Sequence, residues 1–327
     1  MKAKIVYSLI AADSSFYMEE CWVSVYSLRR FHKDAVVILV VDEETSLYIK
    51  HFSNFCKMFS EIIVADVPLH YNQKQRSREL KTKIRQYVEG PMLFIDNDTV
   101  ICNSLDYIDT LSCDIACVPE MHLPLAKMPY KPVNSLKNVF GIDGSDSVYY
   151  FNSGVIYAAD NEKTRTFFKK WNENWTFSCF EKGDAQDEPS FFMTDMEFGH
   201  IIKVLPDIYN VQVQMSLKFF ADAVIIHWWH MNFMEDQSYN PYLSGLIYRQ
   251  LREDGDITPF IENLVVNCKQ SFDSPTIPIG VTQMYFLFSP AGQIFERIYR
   301  HGGFASNLML RIARLFEKIF NCANYKK

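Results

Sequence analysis

Two short apolar runs early in this chain stop abruptly at an aspartate, and no other feature narrows the fold as much. Ala35 to Val41 is rich in β-branched residues and ends at Asp42, and "PMLFI" ends at Asp96. An uninterrupted apolar run of this length suits a strand covered on both faces, and such strands belong to sheets whose crossovers are helices. The stretches between them have helical character. Met18 to Phe31 places Cys21, Val25 and Leu28 at helical spacing, Glu44 to Met58 reads as a helix, and Glu61 to Val64 reads as the next strand. The alternation predicts βαβ units and a largely parallel sheet. Ligands of open α/β sheets bind outside the carboxyl ends of the strands, which makes an aspartate at such an end a site candidate.

The same reading extends along the chain. "KIVYSLI" is the first strand, "DIACVP" and "VYYFNSGVIYA" are later strands, "NEKTRTFFKKWNENW" is a helix, "EPSFFMTDM" a short helix, and "ADAVIIHWWH" a late strand. With 327 residues, 48% of them hydrophobic, the chain has ample material for a large core. Residues 1–270 read as one α/β domain. "QSFDSPTIPIG" then changes the character of the chain, and residues 271–327 read as a helical extension whose last helix begins near Ser306.

Several classes are disfavoured. A net charge of -6 and a pI near 5.8 argue against nucleic acid as a partner, so an anionic ligand must be met by local positive charge. The N-terminal apolar run is broken by Ser8 and Asp13 and fits a strand better than a signal sequence. No stretch approaches the length of a membrane span, and the expectation is a cytoplasmic protein. The eight cysteines are scattered without paired spacing and read as reduced core residues.

Asp96 and Asp98 flank Asn97 where the strand opens into a loop. Two carboxylates one residue apart at such a place can share a divalent ion and leave open positions for diphosphate oxygens. A polar turn uses the same residue types, and a lone D-x-D recurs by chance, so context decides. The context is the basic stretch "NQKQRSRELKTKIRQYVEG" before the motif, "FNSG" after it, and the late "VIIHWWH". A basic run is usually a solvated helix face, and a lone strand-end histidine is usually structural.

In that order, these segments resemble the GT-A-fold glycosyltransferases, most closely the glycogenin-like and bacterial lipopolysaccharide galactosyltransferase-like group, glycosyltransferase family 8. The resemblance covers roughly residues 4 to 235, and its most specific part is "SRELKTKIRQYVEGPMLFIDNDTVI". It implies a GT-A (nucleotide-diphospho-sugar transferase) fold, with a mixed, mostly parallel central sheet flanked by helices. It implies Mn²⁺ or Mg²⁺ on Asp96, Asp98 and His227, with His230 open as a neighbour. Among the cations Arg76, Arg78, Lys81 and Lys83, the match to "SRELK" favours Arg78 and Lys81 as donor contacts. Ala11 and Ala12 would offer main-chain groups to the base and Tyr17 would stack on it, with uridine the expected base. Asn97, Asn152, Ser153 and Gly154 complete the donor-binding set. Asp187 matches the family's aspartate beside the transferred sugar, and Glu188 stands where the family has glutamine. Asp187 and Glu188 are thus the catalytic candidates, with retention expected over inversion and the stereochemistry left open by Glu188. The chain departs from the family after His227, where "WWHMNFMEDQSYNPY" replaces the usual glycine and Lys-Pro-Trp.

The implied activity is transfer of a hexosyl group from a UDP-sugar to a saccharide or lipid-linked acceptor in bacterial surface-polysaccharide assembly. A nucleotidyltransferase that forms sugar nucleotides is the alternative enzyme class, but "LIAADSS" lacks the glycines of its phosphate loop. A catalytically silent saccharide-binding protein on the same fold is the third reading. In the final helix, Leu308, Ile312, Leu315 and Ile319 form one stripe and Arg311, Arg314 and Lys318 another. Such a helix either packs on the catalytic domain or makes peripheral contact with the inner face of a membrane, and both readings stand.

Overall fold

The structure, a computed structural model, describes residues 1–68, 70–128, 133–142, 144, 147–213, 218–228, 245–271 and 285–324. It divides into two compact units, Met1–Lys127 with Pro132–Ile277, and Met128–Lys131 with Pro278–Lys327.

The first unit is built on a seven-stranded sheet in the order β3-β2-β1-β4-β7-β6-β8. Its strands are β1 (Lys4–Leu9), β2 (Val37–Val41), β3 (Glu61–Val64), β4 (Met92–Ile95), β6 (Ile115–Pro119), β7 (Phe151–Ala158) and β8 (Ile202–Val204). β1 runs parallel to both β2 and β4, and β7 runs antiparallel to β4 and β6. The sheet is therefore mixed. β7 is buried along its whole length, and burial on both faces imposes the same apolar run on a strand of either direction.

The two faces are covered by helices, as the alternating pattern predicts. One apolar cluster packs α1 (Tyr17–Phe31), α2 (Glu43–Ile49), α3 (Ser53–Cys56), α9 (Gly245–Asp254) and α10 (Pro259–Val266) against the sheet. The other packs α4 (Gln73–Thr82), α5 (Ile84–Tyr87), α7 (Glu162–Glu181) and α8 (Glu188–Glu197). Two shorter helices, α6 (Val133–Phe140) and α11 (Cys268–Ser271), complete the unit. The helix expected over Glu44–Met58 is broken between Ile49 and Ser53. Phe52 and Phe55 turn there to pack on Trp22, a gain that a straight helix forgoes.

A second, three-stranded sheet joins β5 (Thr99–Ile101), β10 (Ile225–His227) and β9 (Val211–Gln212), with β10 central. The long late strand expected over Ala221–His230 is thus short, and His230 lies outside the described residues.

The second unit contains α12 (Pro290–His301) and α13 (Gly303–Asn324), so the final helix begins before Ser306 and has a helical neighbour. Among the described residues, no helix is long and apolar enough to cross a membrane. Cys21, Cys56, Cys102, Cys113, Cys117, Cys179 and Cys268 are free, and the Sγ atoms of Cys102 and Cys268 lie 3.1 Å apart.

His32, just beyond α1, is buried and accepts the Leu105 N–H on Nε2 at 2.8 Å. Burial pushes its pKa below the usual 6.5, against the weaker pull of Asp106. The folded chain then binds this proton less tightly than the unfolded chain. The contribution to stability is complete above pH 6.5 and is lost as pH falls from there toward the folded value. Thermal melts between about pH 7.5 and about pH 5 should show a falling midpoint. His32→Gln, which keeps an acceptor for Leu105, should make that slope shallower.

Candidate metal and donor site

The order of strands fixes where a site can form. The chain adds β2 and then β3 on one side of β1 and returns to add β4 on the other, so the order reverses between β1 and β4. At such a switch point the loops leaving neighbouring strands diverge and open a crevice. The loop after β1 carries Ala11 and Ala12, and the loop after β4 carries Asp96, Asn97 and Asp98.

Asp96 stands where the chain leaves the large sheet. Its N–H donates to Gly154 O on β7 at 2.8 Å, and three residues later Thr99 begins β5 of the small sheet. A buried chain of hydroxyls holds this exit. Tyr7 reaches Ser24 at 3.0 Å, Ser24 reaches Thr99 at 2.7 Å, and Thr99 Oγ1 donates to Asp96 O at 2.9 Å. Asn97 turns inward and donates from Nδ2 to Ser8 O at 3.0 Å, tying the motif to the end of β1.

Pairing of β5 with β10 places His227 opposite Thr99, one residue past Asp98. His227 Nε2 lies 3.2 Å from Asp98 Oδ1, and one ligating atom from each of Asp96, Asp98 and His227 lies within 4.8 Å of the others. The other ring nitrogen is committed. Nδ1 sits 2.9 Å from Asn210 Oδ1, Asn210 Nδ2 donates to Asn152 Oδ1 at 2.8 Å, and the N–H of Gly154 also donates to Asn152 Oδ1. With Asn210 Oδ1 as acceptor, the ring carries its proton on Nδ1 and turns Nε2 toward the carboxylates. That is the support a metal-ligating histidine needs. Burial alone would lower the His227 pKa, but the adjoining Asp98 carboxylate outweighs it and the net shift is upward.

Gly154 makes room for that ring. A Cβ at residue 154 would lie 2.4 Å from His227 Cε1 and 2.8 Å from Nδ1, closer than any side chain can stand. The close approach that glycine permits in "FNSG" is therefore to a protein imidazole.

The basic segment divides. Arg76 pairs with Asp42 and Glu44, and Lys83 with Glu79. Lys81, buried, bridges Asp96 Oδ2 at 2.9 Å and Asp187 Oδ2 at 3.2 Å. Arg78 Nε lies 2.8 Å from Asp187 Oδ1, and its side chain remains 28% exposed. Both lie on one face of α4, as their spacing requires. Asp187, just before α8, also accepts from Ser153 Oγ at 2.8 Å. Burial would raise its pKa, but Arg78 and Lys81 hold it well below the ordinary carboxylate range. Its carbonyl receives the indole N–H of Trp171 at 3.1 Å, which fixes the start of α8 against α7.

Ala11 is buried and its N–H donates to Thr45 Oγ1 at 3.0 Å, while Ala12 O accepts from Ser15. Tyr17 opens α1 and is half-buried. Burial raises its pKa, and the charges of Glu20, Arg78 and Asp98 act on it more weakly.

Glu120 and Asn210 are further members that the sequence motifs do not include. Asn152 Nδ2 donates to Glu120 at 2.8 Å and lies 3.4 Å from Glu188 Oε1, so one amide bridges two carboxyl groups. Burial and the neighbouring Glu120 push the Glu188 pKa well above the ordinary value. Met121 and His122, immediately after Glu120, take left-handed backbone conformations with φ of 57° and 58°. Such strain, on the order of 1–3 kcal/mol per residue, persists only where the surroundings enforce it. Here Met121 N–H donates to Gln212 Oε1 at 2.6 Å and His122 Nδ1 contacts Asp207 Oδ1 at 2.8 Å. Glu120 follows "IACVP", an apolar run ending at a carboxylate, which is the signal that marks Asp96. Asn210 has no such signal, because its contact with His227 spans seventeen residues of sequence.

No protein-family model matches this sequence, and no curated protein matches it. Solved structures do. An active-site glutamine-to-glutamate mutant of LgtC is 16% identical with a TM-score of 0.52, over 80% of this chain and 99% of that one. LgtC, a galactosyltransferase, has also been solved with donor and acceptor sugar analogues. Mouse xyloside xylosyltransferase 1 is 14% identical with a TM-score of 0.47, over 69% of this chain and 97% of that one. The glycosyltransferase GlyE of Streptococcus pneumoniae is 16% identical with a TM-score of 0.48, over 81% of this chain and 63% of its own length. The chain has the GT-A glycosyltransferase fold. Within that fold, the order of its motifs is similar to glycosyltransferase family 8.

The carboxylate and imidazole donor set suits Mn²⁺ or Mg²⁺. If the cluster holds the metal, as proposed below, displacing the ring should weaken metal binding without unfolding the chain. Gly154→Ala and Asn210→Ala should each lower Mn²⁺ affinity by about 10- to 100-fold, the usual effect of disturbing support around a ligand. Calorimetric titration checks this, with circular dichroism to verify the fold.

Proposed function

We propose that the protein is a divalent-metal-dependent hexosyltransferase that uses a UDP-sugar and a saccharide or lipid-linked saccharide acceptor. The observation that carries the proposal is the convergence of Asp96, Asp98 and His227 at the β1/β4 switch point, with His227 Nδ1 held by Asn210. The sugar analogues bound by LgtC lend the reading a donor and acceptor class.

A bound Mn²⁺ or Mg²⁺ would neutralise charge on the donor diphosphate as it leaves. The chain's own residues would do the rest. Arg78 adds positive charge toward the diphosphate from the open side of the cluster, and Lys81 holds Asp96 in place and offsets its charge. Ala11, Ala12 and Tyr17 receive the base, while Asn97 keeps the D-x-D loop against β1. Ser153 and Asn152 act one step back, since Ser153 fixes Asp187 and Asn152 fixes Glu188.

Asp187 and Glu188 then face the sugar in different protonation states. Asp187 stays ionised and stabilises positive charge that develops at the anomeric carbon as the nucleotide departs. Glu188 shares its amide donor with Glu120, and two carboxyl groups so close favour keeping a proton. A protonated Glu188 donates a hydrogen bond and does not deprotonate an acceptor, which supports retention over inversion. Residues 1–270 form the catalytic domain in this reading, and residues 271–327 serve the acceptor side in polysaccharide assembly.

Incubation with a panel of UDP- and GDP-sugars, with and without Mn²⁺, should give metal-dependent release of nucleotide. Asp98→Ala should lower that rate by roughly a thousandfold, the factor that several kcal/mol of lost charge stabilisation represents. Equal release without metal, or from the variant, would sink the mechanism. If no nucleotide sugar binds in calorimetry, a non-catalytic role on this fold becomes the better reading.

A further inference from the structure

The loop Asp13–Phe16, between β1 and α1, has few hydrogen bonds of its own. Asp13 and Ser14 are exposed, and Ser15 folds back on Ala12. Its main anchor comes from a helix far along the chain. Arg252, on α9, donates from Nη1 to Asp13 O at 2.7 Å and from Nη2 to Ser15 O, and pairs through Nε with Glu19. Its guanidinium also lies over the Phe16 ring at 5.3 Å, and Phe16 packs on Tyr248 of the same helix with ring centroids 5.7 Å apart. Glu19 is fully buried on α1, where burial pushes its pKa up and the paired Arg252 opposes that shift. A single side chain thus spans two backbone carbonyls, a carboxylate and an aromatic face, a set of contacts that suits the planar fork of arginine and not a lysine ammonium.

We infer that Arg252 is a positioning residue for nucleotide binding, holding the Asp13–Phe16 loop in the form that admits the base. This inference rests on the reading of the site as a nucleotide-sugar site. The loop begins at Ala11 and Ala12 and leads directly into Tyr17, the first residue of α1. Without the guanidinium, the Asp13 and Ser15 carbonyls turn to water and the loop takes several conformations. Ordering it again is then charged against each binding event. The contact does not reach the metal ligands, so it separates recognition of the nucleoside from recognition of the diphosphate.

The test compares wild-type protein with Arg252→Lys, which keeps a cation for Glu19, and with the neutral pair Arg252→Gln/Glu19→Gln, which guards against a misfolded single variant. Calorimetry with Mn²⁺ present would measure affinity for UDP and, separately, for inorganic pyrophosphate. The expected result is a loss of about tenfold or more in UDP affinity in both variants, the factor that ~1.4 kcal/mol of ordering represents. Pyrophosphate and Mn²⁺ affinities should stay within about twofold of wild type. Unchanged UDP affinity in both variants overturns the inference, and so does a parallel loss of UDP and pyrophosphate binding, which would mark Arg252 as merely structural. Wild-type protein that binds no nucleoside diphosphate, whether UDP, GDP or ADP, overturns the nucleotide-sugar reading itself and is visible before any variant is made.

Discussion

The packing of the His227 ring against the bare backbone of Gly154 is the contact on which the rest of the site depends. β7 belongs to the large sheet and β10 to the small one, and the two sheets are joined by the chain that runs from β4 through Asp96 to β5. Only a residue without a side chain at position 154 lets the imidazole come close enough for Nε2 to face Asp98 while Nδ1 meets Asn210. The hydroxyl chain from Tyr7 to Thr99 fixes the other side of the same junction. The acidic cluster is thus a consequence of how two sheets meet, and its geometry is as rigid as that junction.

Charge is handled with similar restraint. An acidic chain that collects Asp96, Asp98, Glu120, Asp187 and Glu188 in one crevice must limit their repulsion, because low-dielectric surroundings amplify it. Lys81 and Arg78 neutralise Asp187 and Asp96, and the cost of burying such ions is offset only while every partner is present. Glu188 is treated differently. Its companion is another carboxyl group, so burial and repulsion favour a proton on it. Two adjacent residues of one helix start therefore carry opposite protonation preferences because their partners differ.

The strand ends at Asp42 and Asp96 were legible in the sequence, since an apolar run broken by a polar residue reports both the element and its end, whereas the late strand stops at His227, short of the expected His230. Arg78 and Lys81 were legible as a pair because helical spacing puts them on one face. The direction of β7 was not, as a strand covered on both sides looks the same whichever way it runs. Nor was the break between α2 and α3, where aromatic packing on Trp22 overrides the helical pattern. Asn210 and Arg252 escape sequence reading for a related reason. Each works by reaching a partner brought near only by the fold, and a single asparagine or arginine carries no period. Glu120 is the instructive case, because the rule that singled out Asp96 applies equally well to "IACVPE".

Arg252 gives the long-range architecture a functional sense. β10 ends at His227, and Arg252 on α9, later in the chain, grips the loop after β1. The N-terminal half of the sheet contributes the D-x-D motif, whereas the imidazole of the acidic cluster and the loop's anchor both come from the C-terminal part of the first unit. Neither half can assemble the site alone. A change in that later segment would bear on two separate contacts, His227 on Asp98 and Arg252 on the Asp13–Phe16 loop. In the proposed reading, the part of the chain that supplies both contacts would couple neutralisation of the diphosphate to seating of the nucleoside.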